Sequence, residues 1–121
     1  MNVVWTDLAK QQLRQVAKYI RKEFGRPARD KFIHEIGVTN HLLAEHHYMG
    51  IVEPLFEGCD KAYRSFVTSR HDKIIYFVGE TRIEVVAFWD CRQNPLKLLD
   101  YIRVMSLLHI KTSYYKEWLI F

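Results

Sequence analysis

An α+β fold, with an antiparallel helical hairpin packed on a small, mainly antiparallel sheet, is predicted by three features of this sequence. A short β-prone run opens the chain. Two stretches of helical periodicity follow. Three runs dense in β-branched and aromatic residues then come after a segment rich in turn formers. No stretch between them reads as a linker, so the order strand, helix, helix, strand, strand, strand belongs to a single core.

Val3, Val4 and Trp5 form the opening strand. Thr6 offers a side-chain oxygen to the orphan amides of a helix start, and Asp7 suits the positive end of the helix. Ala9, Leu13, Val16, Ala17, Ile20 and Phe24 then recur on one helical stripe, with Lys10, Arg14, Lys18, Arg21 and Lys22 on the opposite, solvated face. Gly25 stops this helix, and Pro27 opens the next, where a first-turn residue needs no amide donor. The second helix runs through Phe32, Ile33, Ile36 and Leu43 and ends near His47; Gly37, Thr39 and Asn40 weaken its middle. The short link makes the two helices antiparallel. Residues 48–61, with Gly50, Pro54 and Gly58, read as a loop. Strands follow at residues 63–68, 73–78 and 82–89, joined by Ser69 to Asp72 and by Gly79-Glu80-Thr81, for a sheet of three or four strands.

After Asn94-Pro95 the spacing turns helical again, with Leu98, Leu99, Ile102, Met105 and Leu108 on one side and Lys97, Asp100 and Arg103 on a thin polar side. Tyr101, Val104, Leu107 and Ile110 leave little polar surface. This segment must therefore bury most of its circumference, and the apolar ending Trp118-Leu119-Ile120-Phe121 is expected to dock as well.

Composition bounds the function. At 121 residues a single domain is expected. Apolar residues at 49% and aromatics at 14% exclude a disordered chain, and charges interrupt every apolar stretch before it could span a membrane. The N-terminus carries no secretory pattern. Two cysteines, Cys59 and Cys91, are too few for a disulfide scaffold and fit a reducing cytoplasm. The net charge of +4 hides a division: residues 1–34 carry +5, residues 35–60 carry −5 with no Lys or Arg, and the two later stretches carry +2 each. A pI near 9.1 suits a polyanionic partner, but it also describes proteins that touch no nucleic acid.

Four pieces in order give the chain a likeness. They are Val3-Val4-Trp5-Thr6-Asp7 before the helical hairpin, Tyr63-Arg64-Ser65-Phe66-Val67, Lys73-Ile74-Ile75-Tyr76-Phe77, and Trp89-Asp90-Cys91-Arg92-Gln93-Asn94-Pro95. Over residues 1–97 the chain resembles the RelE/ParE superfamily of toxins from bacterial type II toxin–antitoxin modules. Residues 98–121 form an extension without a template, expected to pack on the same domain or on a partner chain. The resemblance implies a cytoplasmic toxin, of the kind tied to plasmid stabilisation, held inactive by a cognate antitoxin. RelE-like members cut mRNA on the ribosome without a metal ion, whereas ParE-like members inhibit DNA gyrase, so the fold alone does not choose. The preferred expectation is an mRNA interferase, a metal-independent, ribosome-dependent endoribonuclease. The alternatives are a non-enzymatic gyrase inhibitor and a degenerate toxin that only binds its antitoxin. A homodimer is a further expectation; a cofactor and a membrane partner are not expected.

Metal-free RNA cleavage needs a proton acceptor, a proton donor and cations around the phosphorus. Arg64 and Arg92 match positions where the superfamily places Arg and are the candidate catalytic phosphate clamps, provided their strands are neighbours. His71 is the acid or base candidate, while Arg70 and Lys73 add phosphate-binding charge. The plainer alternatives are that Arg92 pairs with Asp90 at the surface, Lys73 blunts a sheet edge and Tyr76 packs in the core. The superfamily's nuclease set is incomplete: residues 48–60 hold no Lys, and Asp90 stands where many relatives have His. His34, His41, His46 and His47 complete no metal shell, and no metal site is expected. An apolar extension lying over the basic groove would also occlude it.

Overall fold

The computed structural model describes residues 1–68 and 70–107, with side chains through Val104. In chain order it contains β1 (Asn2–Trp5), α1 (Asp7–Phe24), α2 (Arg26–Glu45), β2 (Ile51–Val52), a single 3-10 turn at Pro54–Phe56, β3 (Arg64–Val67), β4 (Asp72–Val78), β5 (Arg82–Asp90) and α3 (Pro95–Leu107). The fold is α+β, as the periodicities predict. The strands form one sheet in the order β1-β5-β4-β3-β2. β1 runs parallel to β5, and the other neighbours are antiparallel.

The sheet has five strands rather than three or four. The added one is β2, two apolar residues inside the stretch expected to be loop. Its pairing of Ile51 with Ser65 and Val52 with Arg64 is too short to leave an alternation in the sequence.

Local signals set the hairpin. Thr6 Oγ1 accepts from Ala9 N at 3.1 Å, and Gly25, at φ 91°, ends α1 while its carbonyl begins α2. The hairpin covers one face of the sheet. Leu13, Ala17, Ile20, Phe32, Ile33, Ile36 and Leu43 pack there against Trp5, Ile74, Tyr76, Ile83, Val85 and Phe88. Two polar contacts fix this layer. Trp5 Nε1 donates to Asn40 Oδ1 at 2.9 Å, and the buried Tyr76 hydroxyl donates to His47 O and accepts from Gly50 N, each at 2.9 Å. Tyr76 thus tethers the chain leaving α2; Gly50 lies so close that a Cβ there would stand 2.7 Å from Ser65 O.

Lys10 departs from the expected solvated stripe. It is 1% exposed, and burial first, then the Arg14 charge, push its ammonium below the ordinary lysine range. Arg14, Lys18, Arg21 and Lys22 do face solvent.

The other face of the sheet is covered by the 3-10 turn and α3. Leu98 and Ile102 are fully buried there with Phe56, Tyr63, Ile75, Val86 and Ala87. A register shift at Ile75/Tyr76 leaves Val86 as an extra residue on β5, and the Tyr101 hydroxyl donates to its carbonyl at 3.2 Å. The described part of α3 therefore belongs to the chain's own core. It lies opposite the hairpin, so it does not enter the hairpin-side cavities described below. Residues 108–121, including the Trp118-Leu119-Ile120-Phe121 ending, lie outside the described residues.

Candidate functional site

The five charged candidates do not converge. Arg64 pairs in register with Tyr76, whereas Asp90, two residues before Arg92, pairs with Asp72. Four residues of β4 separate those two rows, about 13 Å along the strand. β4 also lies between β3 and β5, so the two strands are not neighbours. Arg64 is engaged locally. Its guanidinium donates to Gly50 O at 2.8 Å and lies 4.8 Å from the centre of the Tyr48 ring. The expected Arg64–Arg92 clamp on one phosphate is therefore not formed.

Lys73 is separated by the pleat. Asp72 faces the hairpin, so its neighbour Lys73 points to the other side of the sheet. There its Nζ sits 3.3 Å from Glu53 Oε2, which also accepts from the Ser65 hydroxyl. The Lys73 and Glu53 side chains are 16% and 14% exposed, so this charge is neutralised in a largely covered site.

Arg70, His71 and Arg92 do meet. The turn before β4 and the exit of β5 are held together by a Cys91 N bond to His71 O at 2.8 Å, which brings Arg70 to Asp72 and Asp90 to Arg92 into one cluster. Arg92 grips Asp90 through Nη2 to Oδ2 at 2.8 Å and Nε to Oδ1 at 3.1 Å. The hydrogen bonds from Arg92 bring the Asp90 carboxyl down to about 2, against the opposing effect of desolvation. Arg92 itself is raised, chiefly by the same hydrogen bonds. Arg70 Nη2 lies 3.0 Å from His71 Nε2, and Arg70 Nε lies 3.6 Å from Asp72 Oδ2. Asp72 is 1% exposed, and Oδ2 has no hydrogen-bond partner among the described residues. Burial raises its pKa, while Arg70 and His71 partly counter that rise.

Two adjoining cavities open on this cluster. One, about 600 Å³, lies between the hairpin turn and the sheet end and is lined by Tyr19, Phe24, Phe32, Lys31, Glu35, Arg70, His71 and Arg92, among others. The second, about 500 Å³, shares Tyr19, Arg70 and Arg92 with it and reaches Gln12, Asp72 and Asp90. Pooled over both cavities, Lys31, Arg70 and Arg92 are matched by Glu35, Asp72 and Asp90, but the larger cavity alone sets those three cations against Glu35. In the smaller cavity Asp72 and Asp90 offset Arg70 and Arg92, which gives a phosphate far less than the two bare guanidiniums expected from the sequence.

His71, Asp72 and Asp90 also lie close enough together for each to offer one ligand atom to a cation, all within 4.8 Å. Two cations of the chain already serve them: the Arg70 guanidinium bridges His71 and Asp72, and Arg92 holds Asp90. A divalent ion would have to displace both, so the donor set does not favour one.

Sequence reasoning named Arg70, His71 and Arg92 but missed Asp72 and the walls supplied by Tyr19, Phe24, Lys31 and Glu35. Lys31 and Glu35 carried a usable signal in their i, i+4 spacing. Tyr19 carried none, because an exposed ring reads as ordinary surface, and Phe24, expected on the apolar stripe of α1, is instead 68% exposed at the end of the helix.

Among curated proteins, none matches the chain. A chain of the solved structure titled the chromosomal ParDE TA system from P. aeruginosa is similar in fold, at a TM-score of 0.60 and 17% identity, covering 73% of this chain and 92% of that one. The family described as the ParE toxin of the type II toxin–antitoxin system parDE matches residues 3–95. With that match spanning the hairpin, β2 to β5, all but the first residue of β1 and the Arg70–Arg92 cluster, the chain belongs to the ParE family of type II toxins.

Proposed function

We propose that this toxin is held inactive by a cognate antitoxin and, once free, arrests growth by binding DNA gyrase without cutting nucleic acid. The observation that supports this reading is the dispersal of the cations. Arg64 is tied to Gly50 O, Lys73 to Glu53 and Arg92 to Asp90, so the Arg64–Arg92 pair expected to clamp a phosphate stands apart, which favours a reading without cleavage. The exposed cations of α1 leave an extended basic face available for a macromolecular partner.

The mRNA-cleavage alternative rests on Arg70, His71 and Arg92, which share one cavity wall. Purified toxin added to a gyrase supercoiling reaction, alongside mapping of mRNA ends after induced expression, separates the two. Loss of supercoiling with intact mRNA is expected. Codon-positioned cuts in ribosome-bound mRNA with normal supercoiling would replace this reading with the nuclease one. Growth without arrest, despite folded protein, would point to a toxin that only binds its antitoxin.

A further inference from the structure

We propose that the outward face of α2, from Lys31 to Glu45, is an interface that pairs with the same face of a second copy of this chain, the two helices lying antiparallel. This goes beyond the gyrase reading and does not rest on it.

α2 turns Phe32, Ile33, Ile36, Asn40 and Leu43 toward the rest of the fold. On its opposite side Lys31, His34, Val38, His41 and Glu45 recur in alternating steps of three and four residues, the spacing of a seam that one helix offers to another. All five are exposed, and the row is about 21 Å long. At its centre Val38, with Leu42 beside it, is apolar where a helix face meant for water would be polar. Their exposures of 46% and 43% leave both side chains without cover from their own chain. Gly37 flanks the row. A glycine inside a helix weakens it, and the chain's own packing does not call for one here, because a Cβ at Gly37 would meet nothing within 4 Å. With no side chain on that flank, a second helix can approach closely.

Charge selects the occupant and its direction. Lys31 stands at one end of the row and Glu45 at the other, and neither is engaged by a hydrogen bond or ion pair among the described residues. Antiparallel pairing about a two-fold axis sets the Lys31 end of each copy against the Glu45 end of the other. Val38 then faces His41 and Leu42 of the second copy. The His34 imidazole, which donates one N–H in either neutral tautomer, faces the Glu45 carboxylate. A parallel pairing would instead set lysine against lysine and glutamate against glutamate. The patch therefore complements itself, as a two-fold interface requires. A contact of this length is small, so the dimer is a weak one that dissociates on dilution.

Sedimentation of the full-length toxin alone, from about 5 μM to about 500 μM, tests this. The mass should rise from the 14.5 kDa of one chain toward that of two. Leu42→Glu should weaken the association about tenfold or more, and Val38→Lys gives the same reading should Leu42→Glu fail to fold. Lys31→Glu and Glu45→Lys should each weaken it by setting like charges together, and the two combined should restore it. A toxin that stays monomeric at the highest concentration would overturn the proposal. So would a dimer untouched by both Leu42→Glu and Val38→Lys, which would place the contact elsewhere on the chain, or a double charge reversal that restores nothing. Backbone amide signals of residues 31–45 that move only when antitoxin is added, and not with toxin concentration, would give this face to the antitoxin instead.

Discussion

The two faces of the sheet are built from different materials. The hairpin face is closed by two long helices whose apolar stripes meet Trp5, Ile74, Tyr76 and Val85, and both adjoining cavities and the charge cluster open on that side. The opposite face is closed by α3 and one 3-10 turn through a smaller set centred on Leu98, Ile102, Phe56 and Tyr63. The hairpin face lies wholly within residues 3–95 of the family match, whereas most of α3 lies beyond it. Stability is thus shared by both faces while the charge cluster and its cavities belong to one. Substitutions on α3 should change melting without changing the cavity.

The largest effect belongs to the hairpin layer. Leu13 is 0% exposed and sits mid-helix, where its neighbours cannot collapse into the space it leaves. Leu13→Ala should cost about 3–4 kcal/mol, read as a lower urea midpoint with an unchanged m-value. A loss below about 1 kcal/mol would mean that the hairpin is not the main closing layer. On the other face, Ile102→Ala should cost about 2–3 kcal/mol, because Ile102 is 1% exposed but lies near the end of the described helix. The same urea titration checks it, and the amide signals of residues 70–72 should not move. A near-zero cost would separate α3 from the core and leave the second face to a partner.

A finer test is polar. Tyr101→Phe removes only the hydroxyl that satisfies the carbonyl of the bulged Val86. The expected cost is about 0.5–1.5 kcal/mol by thermal melting, since a half-buried acceptor loses its partner while the ring stays in place. No change would mean that water serves that carbonyl as well as the tyrosine does.

The same division governs what could be read from the sequence. Ala9, Leu13, Ala17 and Ile20 repeat with helical spacing, and Ile74, Tyr76, Ile83 and Val85 alternate, so the hairpin and the central strands declare themselves through period alone. β2 carries no period in two residues, and Lys10 sits on a polar stripe that gives no sign of its burial. The site was legible as residue types and not as a constellation. Arg64 and Arg92 resemble one another as strand-end arginines, but register places them at different ends of β4, and register follows from turns and the bulge at Val86 rather than from residue identity. Lys73 stands apart from the Arg70–Arg92 cluster for a simpler reason. One step along a strand moves a side chain to the other face, where Glu53 waited in a segment read as loop.

The smallest expected effect bears on whether the cavity face carries a stability cost that the α3 face lacks. Asp72 is a buried carboxylate whose pKa is raised chiefly by desolvation, so its charged form destabilises the fold near neutrality. The sign is fixed by linkage: a carboxyl with a folded-state pKa above its unfolded value binds more protons when folded. Wild-type stability therefore gains as pH falls through the folded value and stops gaining below the unfolded one. Asp72→Asn never carries the charge. Its melting temperature should exceed that of wild type most near pH 7, and the excess should shrink steadily as the medium is acidified toward pH 4. Asp90 does not disturb this comparison, because its carboxyl, held down to about 2 by Arg92, stays ionised throughout that range. A variant less stable than wild type at pH 7 would show that the Arg70 guanidinium, 3.6 Å away, compensates the buried charge in full. The cavity face would then be as free of electrostatic cost as the apolar layer under α3.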